Sequence, residues 1–304
     1  MDVSIIIVNY NTKILILDCI KSIYEKTQGI NFEIIVSDNG STDGSIEMLK
    51  KKFPNVILLE NKENLGFGKA NNQGLKIARG KYILYLNSDT VLLNNAVKIF
   101  FDYWENAENK EEIGALGCNL YDENSKIIHS YGNFADYKLS LKQLFIMLIS
   151  NFILSVFYIF HIPVRKFSTK SNSSFFVGEV DYVTGADLFL KNDENAFFDE
   201  YFFLYFEEAD LQFNLKLKNK KRILIKDAKI AHFCGGSVGS DFSIKRKASF
   251  SRIQFELSRV KFLKKRYNNN KISLFFVKFL ITLIWLNPFL LNTSKKYLKA
   301  LWEI

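Results

Sequence analysis

The 304-residue sequence predicts an α/β protein: a mostly parallel sheet flanked by helices, followed by a C-terminal helical segment that associates with a membrane. Three observations carry this. Short apolar runs alternate with amphipathic stretches through the first third of the chain. Polar clusters close several of those runs. A basic stretch then adjoins an apolar one near the C-terminus. With 48% apolar and 24% charged residues the chain is not disordered, and 15 Gly with 3 Pro exclude a collagen-like or low-complexity protein.

In order, Val3–Val8 reads as a buried strand, and Thr12 stands as N-cap of a helix to about Glu25. Glu33–Ser37 is a strand ending at Asp38, Ser45–Lys52 a helix and Val56–Glu60 a strand. Phe67–Arg79 reads as a helix with Gly80 as its C-cap, and Lys81–Leu86 is a strand running into Asn87-Ser88-Asp89. Ligands of such sheets bind beyond the carboxyl ends of the strands, so Asn9, Asp38 and Asn87–Asp89 are expected to share one crevice. Ile113–Leu120 is a further apolar segment. Val180–Leu190 reads as one strand, the acids after Phe197–Phe206 start a helix to about Lys218, and Arg222–Lys226 is strand-like. Residues 1–240 are expected to form the main domain, with an apolar helical insertion at about 140–165; residues 241–304 form the C-terminal segment.

The net charge of +9 is local: Phe242–Ile272 holds ten Lys/Arg and one acid, Glu256. That excludes a nucleic-acid coat and favours a basic strip. Three cysteines without a C-x-x-C pair argue against a disulfide framework and fit a reducing compartment. The N-terminus lacks the features of a signal peptide, so the main domain is expected in the cytosol.

Two apolar stretches stand out. Gln143–Val164 has the length of a membrane span. A single crossing there would divide Asp89 from Glu208 and His232, so an interfacial helix, a re-entrant hairpin or a helix against another subunit is expected instead. Leu274–Leu291, after the basic strip Lys245–Lys271, reads as an element attracted to anionic lipid. Packing of both in a soluble core is the alternative.

Seven segments occur in register: VSIIIVNYN at 3–11, VSDNGSTDG at 36–44, ENLGFGKANNQG at 63–74, YLNSDT at 85–90, VTGA at 183–186, FDEYFFLYFEEADL at 198–211 and HFCGGS at 232–237. In spacing and order the chain resembles the family 2 glycosyltransferases, in particular their rhamnosyltransferase-like branch with a GT-A, Rossmann-like fold. The resemblance implies a nucleotide site from Val8, Asn9, Tyr10, Asp38, Lys69, Asn72, Asn87 and Ser88. Asp38 would accept the N–H of uracil or thymine; capping of the next helix is its ordinary alternative. Gly66 and Gly68 would permit close approach of a diphosphate, with Lys69 and Asn72 as donors.

Asn87-Ser88-Asp89 occupies the family's D-x-D position. Asp89, with His232, would ligate Mg²⁺ or Mn²⁺, while Asn87 offers only a neutral carbonyl. Glu208 is implied as the base that takes the proton of the acceptor hydroxyl, with Glu207 and Asp210 as rivals. The plainer reading of these acids is a favourable charge at a helix N-terminus. Gly185 and Ala186 leave room for the acceptor, and Asp187 is either an acceptor contact or one half of a salt bridge.

The activity implied is inverting transfer from a nucleoside-diphosphate sugar, dTDP-rhamnose or a UDP-sugar, to a glycan or lipid-linked acceptor of a surface polysaccharide. Its place would be the cytoplasmic face of the plasma membrane. Two alternatives stand beside it: a non-catalytic membrane adaptor that binds nucleotide-sugar or glycan, and a nucleotidyltransferase. The sequence leaves the oligomeric state open.

Overall fold

The computed structural model describes residues 1–160, 174–233, 250–286 and 291–304. The elements are β1 (Val3–Asn9), α1 (Lys13–Lys26), β2 (Phe32–Asp38), α2 (Ser45–Lys52), β3 (Ile57–Glu60), α3 (Phe67–Leu75), β4 (Tyr82–Asn87), β5 (Thr90–Leu92), α4 (Ala96–Asn106), β6 (Ile113–Tyr121) and β7 (Tyr131–Gly132). They continue with α5 (Tyr137–Ile159), β8 (Gly178–Glu179), β9 (Tyr182–Val183), β10 (Asp187–Lys191), α6 (Glu207–Leu217), β11 (Lys221–His232), α7 (Phe250–Arg266), α8 (Lys271–Trp285) and α9 (Leu291–Glu303). Contacts group them into two compact units: residues 1–134, 171–203 and 207–239, and residues 135–170, 204–206 and 240–304.

The first unit is built on a sheet of order β3-β2-β1-β4-β10-β6-β11-β5, with β8 on β11 and a separate β7-β9 pair. Strands β1 to β4 run parallel, as do β6 and β11; β10, β5 and β8 pair antiparallel. Residues such as Ile5, Ile7 and Leu84 bury into one face of the sheet, and Ile6, Ile83 and Tyr85 into the other. That is the period-2 alternation of a sheet covered on both sides. The register aligns Asn9 with Asp38, and Val8 with Asn87. The carboxyl ends of β1, β2 and β4 therefore lie side by side.

Several local expectations are corrected. Helix α3 ends at Leu75, because Lys76–Arg79 leaves in tight turns and Arg79 is clamped to the buried Glu33 at 2.7 Å. Gly80 is not a C-cap. A Cβ there would lie 2.3 Å from the Ser4 backbone nitrogen, so Gly80 serves close approach to β1. Thr12 makes no side-chain cap; the Asp43 carboxylate accepts the Lys13 N–H instead. The expected single strand at 180–190 is two short ones, because the chain leaves β8 at Glu179, joins β7 through β9 and re-enters the main sheet as β10. Strand β11 runs to His232, and a register shift between Ile225 and Ile230 hides it from an alternation pattern.

The second unit packs α5, α7, α8 and α9 around Leu144, Leu257, Val260, Leu263, Ile281 and Trp285. Helix α5 is continuous over its described length, so no hairpin turns within it, and it is long and apolar enough to cross a membrane. Its outward face exposes Phe145, Ile146, Ile149, Phe152 and Ile153. Helix α8 buries Val277, Ile281 and Ile284 yet exposes Ile272, Phe275, Phe276, Phe279 and Leu283, so it is apolar on both faces. The basic strip is only partly a surface. Arg259 is buried beside Glu256 at 3.4 Å, with Arg252 on the same carboxylate at 2.7 Å, while Lys264, Lys265 and Lys271 are exposed. Residues 245–249 of that strip, 161–164 and 287–290 of the apolar stretches, and Cys234 with Gly235-Gly236-Ser237 lie outside the described residues.

Candidate active site

At the sheet's carboxyl edge the side chains are tied to one another. Asn9, fully buried, donates to Asp38 Oδ2 at 2.6 Å and to Ser41 Oγ at 3.1 Å. Its own amide oxygen accepts from the Thr12 hydroxyl, whose oxygen lies 2.9 Å from Ser88 Oγ and can accept from it. Asp38 Oδ1 accepts the Ser41 N–H. Asp38 is also fully buried, so contact with a base requires a lone pair that Asn9 and Ser41 leave unused. Val8 pairs beside Asn87 below this network, and Tyr10 is exposed above it, with Asn11 held at φ 54°. Thr12, expected only as an N-cap, and Ser41 wire this edge together. Polar residues clustered after two strand ends were the signal for them.

The glycine-rich segment behaves differently from expectation. Gly66 has φ +85°, and a Cβ there would lie 2.2 Å from the Phe203 carbonyl oxygen, which also accepts the Phe67 N–H. A Cβ on Gly68 would meet Phe198 at 3.0 Å. The close approach is thus to the chain's own aromatic run. Asn72, expected as a donor toward a diphosphate, is fully buried; it donates to Phe198 O and Glu200 and accepts the Phe198 N–H. It fixes the approach to α6 rather than a ligand. Lys69 is half-buried and makes no ion pair among the described residues.

Asp89 and His232 meet. Nε2 of the imidazole lies 3.1 Å from Asp89 Oδ1 and 3.4 Å from the Asn87 side-chain amide. The antiparallel pairing of β11 with β5 places His232 opposite Thr90, and Phe233 N–H donates to the Asp89 carbonyl. Both side chains keep a little exposure, 15% and 17%. The described residues hold no cluster of three acidic, histidine or cysteine ligands, but one carboxylate and one imidazole in contact can share a divalent cation that takes its remaining ligands from phosphate and water.

Asp187 is corrected on both expectations. It is fully buried, and its Oδ2 accepts the Cys118 N–H at 2.7 Å, so it is neither an acceptor contact nor a salt bridge. Burial raises its pKa to about 7, partly offset by the hydrogen bond from the Cys118 N–H and, less, by nearby His232. Its Oδ1 has no hydrogen-bond partner. A carboxyl whose folded pKa exceeds its unfolded value of about 3.8 loses stability as pH rises between the two, and the loss then levels off. Asp187→Asn cannot ionise. Its melting temperature should therefore gain on the parent's from pH 4 to pH 7, with a constant gap above; a gap that does not change with pH would refute this.

Across Gly185-Ala186 lies the acidic trio. The Ala186 carbonyl accepts the Asn87 N–H at 3.1 Å. A Cβ on Gly185 would lie 3.6 Å from Glu208 Cβ. Two residues of chain therefore separate the Asn87–Asp89–His232 cluster from Glu208. Of the three acids Glu207 and Asp210 are buried, and Glu208 keeps an exposed part. Desolvation raises its pKa above the usual carboxylate range, against the pull of its own and the Ala209 N–H groups. Glu208 directly follows Tyr205, Phe206 and Glu207, and the first two hold φ 69° and 68°. Two consecutive left-handed side-chain residues are strained, and they aim the start of α6.

Comparison with known proteins follows this geometry. Residues 4–160 match the model described as glycosyl transferase family 2. Among curated proteins, a poly(ribitol-phosphate) beta-glucosyltransferase of Bacillus spizizenii is 36% identical over 121 residues, 38% of this chain and 19% of that protein. The Escherichia coli enzyme WfaP, a UDP-Glc:alpha-D-GlcNAc-diphosphoundecaprenol beta-1,3-glucosyltransferase, is 34% identical over 133 residues, 43% of this chain and 45% of that one. The chain thus spans less than half the length of these relatives. Among solved structures, the Pyrobaculum calidifontis mannosyltransferase PcManGT in complex with GDP-Man and Mn²⁺ aligns with TM-score 0.55 at 15% identity, covering 98% of this chain and 75% of that one. S. aureus TarS 1-349 in complex with UDP-GlcNAc gives TM-score 0.52 at 15% identity, covering 99% and 78%. At such identities the structural likeness establishes the fold, GT-A, and no more.

Proposed function

The chain belongs to glycosyl transferase family 2, and from that premise we propose that it is an inverting, metal-dependent glycosyltransferase acting on a pyrimidine nucleoside-diphosphate sugar. The observation that carries this is the pairing of a cation-competent cluster, Asp89 with His232, and a half-buried carboxylate, Glu208, across Gly185-Ala186. Asp38 receives the base, and Tyr10 lies exposed beside it. Glu208 takes the proton as the acceptor hydroxyl attacks the anomeric carbon, and desolvation makes it a stronger base than an ordinary carboxylate. Asp89 and His232, with Asn87 beside them, would hold Mg²⁺ or Mn²⁺, which would supply positive charge to the leaving diphosphate. Among the described residues the site offers Glu208 as base and no side chain in place for a covalent intermediate, which supports inversion.

The named curated relatives are glucosyltransferases, which favours a UDP-hexose over dTDP-rhamnose as donor. The diphosphoundecaprenol in one relative's name supports a lipid-linked glycan as acceptor and a role in surface polysaccharide synthesis. Thermal-shift titration with UDP, dTDP and GDP, with and without Mn²⁺, tests the donor half. A pyrimidine diphosphate should raise the melting temperature, and more so with the ion, since a ligand at a hundred times its Kd adds about 2.7 kcal/mol. No shift with any of the three would refute it.

The second unit docks on the cytoplasmic membrane surface. Its support is the outward apolar faces of α5 and α8 together with exposed Lys264, Lys265 and Lys271. Each lysine near an anionic surface contributes about 1 kcal/mol. The protein should sediment with phosphatidylglycerol vesicles, and the triple change of Phe275, Phe276 and Phe279 to Ser should release it. Recovery of the parent protein in the supernatant with those vesicles would refute docking.

A further inference from the structure

A second cleft opens in the first unit, of ≈ 470 Å³, lined by Tyr131, Asn133, Phe176, Glu179, Asp181 and Arg222. That volume falls within the roughly 300–1,000 Å³ of small-molecule sites. None of these residues belongs to the nucleotide, cation or base cluster described above.

Its construction is specific. Phe176 exposes its ring, yet its backbone is held in a reciprocal pair: the buried Asn119 donates to the Phe176 carbonyl at 2.8 Å and accepts its N–H at 3.1 Å. The Tyr131 and Phe176 rings meet at 5.3 Å with 34° between planes. Arg222, buried, donates to the carbonyls of Val180, Asp181 and Lys220 and lies 3.5 Å from Glu179. Asp181 accepts the Phe134 N–H, with Lys216 at 3.5 Å. Aromatic faces thus stand beside carboxylate and amide groups on a rigid floor.

This chemistry suits a neutral, hydroxyl-rich ring. Carboxylates accept hydroxyl protons, an exposed Asn133 amide both donates and accepts, and the ring faces take the apolar C–H side of a pyranose. An anion is disfavoured, because three of Arg222's N–H donors are engaged by backbone oxygens, its charge faces Glu179 at 3.5 Å, and the carboxylates of Glu179 and Asp181 flank the opening.

The cleft is also coupled to the reaction centre. Gln212 bonds Val183 through both its N–H and its carbonyl, and it donates to the Glu208 carbonyl at 3.1 Å. Strand β9, which continues from Asp181, is therefore fastened to α6 at the base itself. Four residues lead from Asp181 to Gly185 beside Glu208, at most about 14 Å of chain. A short oligosaccharide covers that distance. We propose that this cleft is a remote acceptor subsite, which holds a neutral sugar unit of the acceptor glycan one or more units away from the hydroxyl that reacts. The proposal rests on the acceptor reading above.

Calorimetry on the full chain tests it, with cellotriose, maltotriose and chitotriose as probes, orthophosphate as the anionic control and UDP as a separate titrant. At least one trisaccharide should bind. Phe176→Ala and Asn133→Ala, both surface changes, should each weaken it about tenfold or more and leave UDP affinity unaltered. The subsite is overturned if the parent binds UDP but none of the trisaccharides, or if both variants bind sugar as tightly as the parent. Orthophosphate binding that the two variants abolish would overturn it in favour of an anion site. Failure of UDP alone would instead sink the donor reading, and the sugar titration would still decide the cleft.

Discussion

Glu208→Gln should lower kcat by about a thousandfold and leave nucleotide affinity unchanged, since a positioned general base contributes roughly 10²–10⁴. Glutamine keeps the volume and hydrogen-bonding reach of the side chain but cannot take a proton. Glu208 sits beside Gly185, on the far side of the Asn87–Asp89 turn from the Asn9–Asp38 pair, so donor binding has no reason to change. The pH profile separates this from a merely structural effect. The base works when ionised and its pKa is raised, so parental activity falls as pH drops through that raised value. The variant's residual activity should lack that limb. Glu207→Gln and Asp210→Asn change buried groups, and their main effect should be a lower melting temperature. A Glu208→Gln enzyme with parental kcat would remove the base from the mechanism.

The second large effect is expected at Asp89. Asp89→Asn removes the only carboxylate in the cluster with His232 and Asn87 among the described residues. A neutral amide there cannot offset a divalent charge, and loss of one electrostatic stabiliser of a developing charge costs about 10²–10³ in kcat. The added thermal stabilisation that Mn²⁺ gives in the presence of UDP should vanish with it, a readout independent of turnover. Full parental activity in excess chelator would contradict metal dependence at once.

The strand ends of the first third were legible because the information is local. Apolar runs such as Val3–Val8 and Lys81–Leu86 mark parallel strands, and polar residues at their carboxyl ends must gather when those strands pair in register. The family motifs carried Asp89, His232 and Glu208, which composition and periodicity alone do not single out. What stayed hidden depends on partners distant in sequence. Asn72 reads as a donor toward a diphosphate, but its partner is Phe198, 126 residues away. Gly80 sits where a C-cap glycine belongs, and only the fold shows that Ser4 occupies its missing Cβ's place. Asp187 reads as an acceptor contact or one half of a salt bridge until β10 is seen wedged between β4 and β6, where the Cys118 N–H claims it. Strand β11 is interrupted in pattern by Lys226 and Asp227, although its hydrogen bonding resumes at Ile230.

The central claim is that donor, cation and base act at one edge of the sheet. Its most direct measurement is release of free nucleoside diphosphate from UDP-hexoses and dTDP-rhamnose by the purified chain, with Mn²⁺ and a glycan acceptor pool, for the parent and Glu208→Gln side by side. Metal-dependent release by the parent and none above background by the variant are expected, with equal UDP binding in both. Release that persists in the variant, or a parent that binds UDP and never turns over any donor, would contradict it.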